Sequence, residues 1–200
     1  MHNKVLDRKA FFELLTQDHG RLTNRDMSVV EDQITIDCAE HRLEDIHFEN
    51  LTFSDMLSIR NTKGSTLGSI VINECCFQGG LNIEHLECRH LSIADSRAKW
   101  IQLGHVKADS ACLQSLTVAR SLDLSMLELT SHLRLAEVTY DELLLVHQST
   151  YEVIKVPRVI TDLPAAMVQF RLAGIPVFSS TQAARTILAM LDNSLALAGT

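Results

Sequence analysis

The sequence predicts an all-β solenoid, because its central part repeats every five residues. Eight consecutive units run from Leu81 to Arg120, and the first and third residues of each unit are expected to point inward. Fifteen of these sixteen residues are apolar and the exception, Ser96, is small. Neither a helix, with its period of 3.6, nor a flat strand, with its period of 2, keeps this spacing in phase. A coil of short strands that turns a corner every five residues does keep it.

The predicted inward residues form two sets. The first positions of the units are Leu81, Leu86, Leu91, Ser96, Ile101, Val106, Ala111 and Leu116. The third positions are Ile83, Cys88, Ile93, Ala98, Leu103, Ala108, Leu113 and Val118. The positions between them are mostly polar or Gly, so they are expected to face solvent.

Residues 1–33 are predicted to form an N-terminal helix and capping strands. Asp7 is expected to be the N-cap of a short helix that ends before Gly20, with Phe11 and Leu15 near its apolar face. Two strands are expected between residues 27 and 38, separated by a polar turn at residues 31–33.

The solenoid itself is predicted over residues 34–152, with residues 61–66 as its turn-rich loop. Four sides of five residues make a coil of twenty, so side chains twenty residues apart are expected to stack. The predicted outward stacks are Glu87 on Lys107, Arg89 on Asp109, His85 on His105, and Trp100 between Gly80 and Arg120. About five to six such coils are expected.

Residues 153–200 are predicted to form a C-terminal α-helical cap that also dimerises the protein. A helix over residues 163–173, a short strand over 175–178 and a last helix from Thr181 to about Ala198 are expected. The last helix carries an apolar stripe at helical spacing, and its predicted dimerisation residues are Ile187, Leu188, Leu191 and Leu195. A homodimer is therefore expected.

The segment from Ile46 to Asp55 resembles the pentapeptide-repeat family of right-handed quadrilateral β-helices. Phe48 and Phe53 occupy the central inward position, and Asn50 and Asp55 follow two residues later. The resemblance covers about residues 36–150. The family prefers a small residue at the first inward position, where this chain often has Leu or Ile. A wider or irregular right-handed β-helix is therefore the alternative architecture. The family includes DNA mimics that protect or inhibit type II topoisomerases, and the resemblance implies a role of that kind.

The charge of the chain argues for a protein partner. Residues 31–155 carry nineteen acids against ten Lys or Arg, a net charge of −9. Because this surface repels phosphate, direct nucleic-acid binding is not expected, whereas docking on a basic protein groove is. The start of the chain lacks a signal-peptide pattern and no stretch of eighteen apolar residues occurs, so a cytoplasmic protein without a membrane contact is expected. The five cysteines are interpreted as reduced thiols.

The candidate protein-binding residues are outward ones. Exposed Trp and Arg dominate binding hot spots, and stacked histidines can make pH-sensitive contacts. The candidates are Trp100, Arg120, His85, His105, Glu84 and Glu87. Trp100 could instead be covered by a terminal helix. The histidine pair lacks a third ligand, so no metal and no cofactor is expected.

No catalytic motif occurs, so a non-enzymatic protein is predicted. The sequence favours an acidic β-helix binding protein that occludes a partner protein, as an inhibitor, DNA mimic, immunity protein or effector. The partner could be a nucleic-acid-handling enzyme or a toxin. Two alternatives stay open: a structural β-helix that self-assembles through its ends, and a carbohydrate-active β-helix enzyme that uses the loop from Asn61 to Ser65.

Overall fold

The chain folds into a stack of parallel strands. The computed structural model describes residues 4–63, 65–144, 159–163, 166, 170, 175 and 177–179, without the side chains of residues 24–27. Within these ranges the protein is a parallel β-solenoid of about seven turns with one short helix. The predicted all-β solenoid is thereby confirmed.

The described elements are one helix and fifteen strands. The helix is α1 (Arg8–Gln17). The strands are β1 (Lys4–Leu6), β2 (Arg21–Val30), β3 (Ile34–Asp37), β4 (Ile46–Phe53), β5 (Leu57–Arg60), β6 (Thr66–Asn73), β7 (Cys76–Phe77), β8 (Leu81–Ala94), β9 (Arg97–Ala98), β10 (Ile101–Val118), β11 (Ser121–Asp123), β12 (Leu127–Thr139), β13 (Glu142–Leu144), β14 (Val159–Thr161) and β15 (Val177–Ser179).

Each turn pairs in parallel with the turn before it. Leu81 lies beside Ile101, twenty residues later, so the predicted coil of twenty is confirmed in this part. The turns on either side are longer, because Leu57 pairs with Leu81 and Ile101 pairs with Leu122. The extra residues lie between strands or at register shifts inside them, as between Ala108 and Ser110 where β10 pairs with β12, and the inward positions of successive turns stay paired. The predicted loop over residues 61–66 is one such place, between β5 and β6.

The core is a set of apolar side chains stacked along the solenoid. All sixteen predicted inward positions between Leu81 and Val118 are buried. Ser96, the polar exception, is 3% exposed and its hydroxyl is fully used. Its Oγ donates to the carbonyl oxygen of Ala94 at 2.6 Å and accepts from the amide of Cys75 at 3.0 Å. An inward serine is therefore tolerated because backbone groups satisfy it.

Helix α1 begins and ends as the sequence predicts. The Asp7 carboxylate accepts the amide hydrogen of Ala10 at 2.8 Å, as expected of an N-cap. Phe11 is fully buried, and its ring lies edge-on to those of Phe48 and Phe53 in β4 at 6.2 and 5.9 Å. The helix thus supplies core side chains to the N-terminal turns. Strands β1 and β2, in the region predicted to hold the N-terminal helix and capping strands, pair in parallel with each other, and β2 pairs with β4.

Parallel pairing is also present among the described residues of region 153–200, where the sequence predicts a helical cap with a short strand over residues 175–178. Strand β14 pairs with β12, and β15 pairs with β14. Ala166 and Phe170, from the predicted helix over residues 163–173, are buried. The predicted last helix, with its dimerisation residues Ile187, Leu188, Leu191 and Leu195, lies outside the described residues.

The five cysteines are free thiols, as the sequence predicts. Burial raises the pKa of the Cys38, Cys75 and Cys88 thiols to about 12. Cys76 and Cys112 are half-buried, and burial also raises the pKa of the Cys112 thiol. Three of the thiols therefore behave as small apolar core groups.

Leu103→Ala tests the inward assignment. Leu103 is 1% exposed and stacks on Ile83, so its truncation leaves a cavity in the core. We expect the free energy of unfolding to fall by about 2–5 kcal/mol, measured by urea denaturation. The control Gln102→Ala removes the exposed neighbouring side chain, and we expect it to change the free energy of unfolding by less than about 0.5 kcal/mol. Equal effects of the two variants would contradict the alternation.

The buried thiols predict a loss of stability in alkali. Above pH 9 the unfolded chain loses thiol protons that the folded chain keeps up to about pH 12. The free energy of unfolding therefore falls with rising pH, by up to about 1.4 kcal/mol per pH unit for each thiol. Cys88→Ala should reduce this slope, whereas the matched variant Cys76→Ala should change it less. Urea denaturation across this pH range measures both, and an unchanged slope in Cys88→Ala would count against burial of this thiol.

Candidate functional site

Several corners of the solenoid are formed by single residues with a left-handed backbone. Nine non-glycine residues have φ between 48° and 58°. Seven of them form two stacks along the rod: His85 and His105 in one, and Asn50, Glu74, Asp95, Ser115 and Glu137 in the other. Such a residue turns the chain in one step while its side chain stays outside the core. Each stack is therefore an ordered row of side chains, all exposed except the half-buried Asn50 and Ser115.

The second stack is rich in acids, and we call it, together with Asp162, the acidic edge. The residues before its members pair from turn to turn: Glu49 with Asn73, Asn73 with Ala94, Ala94 with Gln114, and Gln114 with Ala136. At roughly 4.8 Å between turns, the edge extends over roughly 14 Å from Glu74 to Glu137.

The carboxylates of the acidic edge have few partners in the protein. Glu74, Asp95, Glu137 and Asp162 are all exposed. Glu137 Oε2 accepts the hydroxyl hydrogen of Ser115 at 2.8 Å, and Asp162 Oδ1 accepts the amide hydrogen of Glu137 at 3.2 Å. In the part of the chain that the structure describes, none of these carboxylates lies within 4.0 Å of a Lys or Arg nitrogen. Their charge is thus directed at solvent or at a partner.

The backbone conformation makes these residue types informative. A left-handed backbone costs an ordinary L-residue roughly 1–2 kcal/mol, and Gly, Asn or Asp adopts it most readily. Glu74 and Glu137 have φ of 52° and 54°. The chain therefore holds two glutamates where a glycine would cost less, as it also holds His85, His105 and Ser115 in the same backbone conformation.

Sequence reasoning missed this edge because its spacing is irregular. Glu74, Asp95, Ser115 and Glu137 are separated by 21, 20 and 22 residues, whereas the prediction stacked residues exactly twenty apart. The signal that could have found it is the five-residue frame itself, since each of these residues directly precedes a buried first inward position.

A second surface feature, the charged groove, is lined by residues from four successive turns of the solenoid. It has a volume of about 330 Å³. Its floor consists of Cys88, Ala108 and Leu129, which are buried core residues. Its polar lining consists of Thr66, Glu87, Arg89, Lys107, Asp109, Glu128 and Thr130. The groove thus combines a narrow apolar floor with walls that carry both signs of charge.

The predicted stacks at this groove are in register, but the close contacts differ from those expected. Glu87 pairs in register with Lys107, and Lys107 in turn with Glu128. The Lys107 Nζ lies 3.6 Å from Glu128 Oε2, so its ion pair is with the next turn. Asp109, the predicted partner of Arg89, accepts the hydroxyl hydrogen of Thr130 at 3.0 Å. Register alone left the choice between the two neighbouring turns undecided.

The predicted histidine stack is present. The rings of His85 and His105 are 4.8 Å apart and inclined by 12°, and both side chains are exposed. Glu84 is half-buried at the same corner. Parallel rings do not direct their nitrogens at one point, and no group of three His, Cys, Asp or Glu in the described residues could hold a metal. The pair is an exposed aromatic surface beside the groove.

Trp100 is half-buried rather than fully on the surface. Its indole lies on Gly80 of the preceding turn, where an added Cβ would be 2.3 Å from Trp100 Cε2. Arg120 is exposed one turn later. Trp100 and His105 lie at opposite ends of a five-residue extended segment, roughly 16 Å apart along the chain. The binding role assigned to the six residues stays a prediction.

The acid nearest the predicted loop is held by structural bonds. Asp37 is 3% exposed and accepts hydrogen bonds from Thr62 Oγ1 at 2.8 Å and from the amide of Ala39 at 3.1 Å. Burial opposes ionisation, but these bonds and Arg60 outweigh it, so the pKa of Asp37 lies below its usual value. Asn61 donates to the carbonyl oxygen of Ser65 and closes the loop. The loop therefore presents no group of converging free acids among the described residues.

Comparisons with known proteins return no relative. No family model, no curated protein and no solved structure matches the chain. In the described residues no helix is long and apolar enough to cross a bilayer. What the site can do must therefore be argued from its own geometry.

Gly80→Ala tests the packing of Trp100. Gly80 has φ of 117°, and a Cβ there collides with the indole, so we expect a loss of about 1–3 kcal/mol in the free energy of unfolding. Tryptophan emission should shift to longer wavelength as the ring is displaced. In the control Gly104→Ala the nearest atom is Glu84 Cβ at 3.7 Å, so a change below about 0.5 kcal/mol is expected. An unchanged emission spectrum in Gly80→Ala would show that the indole does not lie on this glycine.

Proposed function

We propose that this protein is a non-enzymatic binding protein that presents its acidic edge to the basic, nucleic-acid-binding groove of a partner protein and occludes it. The observation that carries the proposal is the row of exposed carboxylates at Glu74, Asp95, Glu137 and Asp162. A linear array of negative charge on a rigid rod resembles a nucleic-acid backbone in sign and in form. The role is that of an inhibitor of the DNA-mimic type.

The electrostatics support a protein partner over a nucleic acid. The chain has a net charge of −7, and the acidic edge contains no Lys or Arg. An acidic surface of this kind repels the phosphates of a nucleic acid, and it raises the rate at which the protein associates with a basic groove on a partner. Because the carboxylates are exposed and hydrated in the free protein, docking must remove part of this water, so their charge chiefly raises the association rate and selects the partner. The interaction should weaken as salt is added.

We further propose a right-handed, four-sided cross-section of the pentapeptide-repeat type. The support is the twenty-residue turn between Leu81 and Ile101, which holds four inward pairs of residues spaced five apart. A C-terminal helical cap and a cytoplasmic location belong to the same proposal. Five free cysteines, three of them buried, suit a reducing compartment.

A supercoiling assay with a type II topoisomerase tests the proposed function. We expect the purified wild-type protein to alter supercoiling by gyrase at micromolar concentration. The triple variant Glu74→Gln, Asp95→Asn, Glu137→Gln removes three charges from the acidic edge with little change in shape. It should need at least about a tenfold higher concentration for the same effect, since about 1.4 kcal/mol of lost attraction corresponds to tenfold in affinity.

The matched control removes the same charges elsewhere. Glu13→Gln, Glu40→Gln, Asp141→Asn changes two Glu and one Asp that are exposed outside the acidic edge. It should retain the wild-type effect, and thermal melting should show that both triple variants are folded. A wild-type protein without any effect on supercoiling contradicts the DNA-mimic role. Equal loss in both triple variants contradicts the assignment to this edge.

A further inference from the structure

The charged groove has a pattern of charge that is complementary to itself. In one turn Glu87 and Arg89 flank the floor residue Cys88, and in the next turn Lys107 and Asp109 flank Ala108. The sign therefore alternates both along each turn and between turns. All four charged side chains are exposed. The two members of a turn lie roughly 6.6 Å apart, and successive turns roughly 4.8 Å apart.

We propose that this groove is the interface between two copies of the chain related by a two-fold axis. In a two-fold interface the same surface patch of the two copies is in contact. If one residue of the first copy contacts a second residue of the other copy, the reverse contact is therefore also made. If the two-fold axis is parallel to the solenoid axis, each turn of one copy faces the same turn of the other copy, with the two charged columns reversed. Glu87 then faces Arg89 of the second copy, and Lys107 faces Asp109, so the contacts of these four residues join opposite charges. Glu128 of the next turn faces the uncharged Thr130.

The floor of the charged groove also fits a second copy of the chain. Cys88 and Ala108 are small inward residues, so the surface is lowered between the two charged columns. Two copies can approach closely there and bring four ion pairs into a partly desolvated space, where charge pairing selects the partner more than it adds affinity. A nucleic acid or a uniformly charged protein finds no such match, because half of the charges in the groove would repel it.

The proposed dimer leaves the acidic edge separate. The edge residues Glu74, Asp95 and Glu137 do not line the groove. Each copy therefore keeps its own row of carboxylates for a partner protein. The lining residues span four turns, roughly 14 Å, and the two charged columns are roughly 6.6 Å apart. This patch is smaller than a standard interface of about 800 Å² per partner, so we expect a dissociation constant in the micromolar range or weaker.

Sedimentation over a concentration series, with folding checked by circular dichroism and thermal melting, tests the dimer. Glu87→Lys places like charges opposite each other twice, so the dissociation constant should rise at least about tenfold. Arg89→Glu should do the same from the other side. The double variant Glu87→Lys, Arg89→Glu restores the pairs and should dimerise like the wild type. The control Glu142→Lys makes the same charge change outside the groove and should leave the dimer intact.

The identity of the double variant that dimerises also reports the direction of the two-fold axis. If the axis runs along the strands instead, Glu87 faces Lys107 of the second copy, and Glu87→Lys, Lys107→Glu is then the double variant that dimerises. A wild-type protein that stays monomeric throughout the series overturns the proposal. So does a dimer that Glu87→Lys leaves unchanged, failure of both double variants to recover, or growth beyond a dimer. These results do not depend on topoisomerase activity, so they are separate from the test of the proposed function.

Discussion

The parallel stacking of equivalent positions from one turn to the next is the constraint on which this protein depends. Leu81 lies beside Ile101, and Ile101 lies beside Leu122, so an apolar side chain in one turn meets another at roughly the strand spacing. The interior is therefore a set of continuous columns rather than a closed cluster. A polar group inside a column must be satisfied locally, as Ser96 is by the backbone of its own and the preceding turn.

The same stacking orders the outside. A side chain at a corner has a counterpart at the same corner one turn away, so the exposed side chains of neighbouring turns lie close together. In the acidic edge this brings like charges together, which costs stability that the core must offset. In the charged groove it brings alternating charges together, and Lys107 pairs with Glu128 across turns. The acidic edge therefore carries charge left unpaired by the described residues, whereas the groove carries charges of both signs.

Sequence reasoning succeeds where the physical cause is local. A pleated strand sends alternate side chains to opposite faces, and a corner every five residues resets that alternation, so the inward positions could be assigned from neighbours in the chain. The N-cap at Asp7 is also local, because its carboxylate meets an amide three residues later. The stacked rings of His85 and His105 followed once the turn length was known.

Sequence reasoning fails where a feature depends on residues that are far apart in the chain. The turns before Leu81 and after Val118 differ in length from the central ones, and the place where each extra residue leaves the strand decides which corners align. For this reason the alignment of Glu74, Asp95 and Glu137 could not be read from a fixed spacing. Trp100 stacks on Gly80 as the coil of twenty predicts, but the half-burial of its indole depends on the room that a glycine with a left-handed backbone leaves there.

The sequence by itself determined which residues face the axis, that the strands form a solenoid, and where its N-terminal helix begins. Only the tertiary structure decided which outward residues meet, that strands β14 and β15 extend the stack, and that the acids gather along one edge. The physical reason is that inward or outward orientation is set by adjacent peptide units. The neighbour above a side chain depends on the length of the whole turn between them.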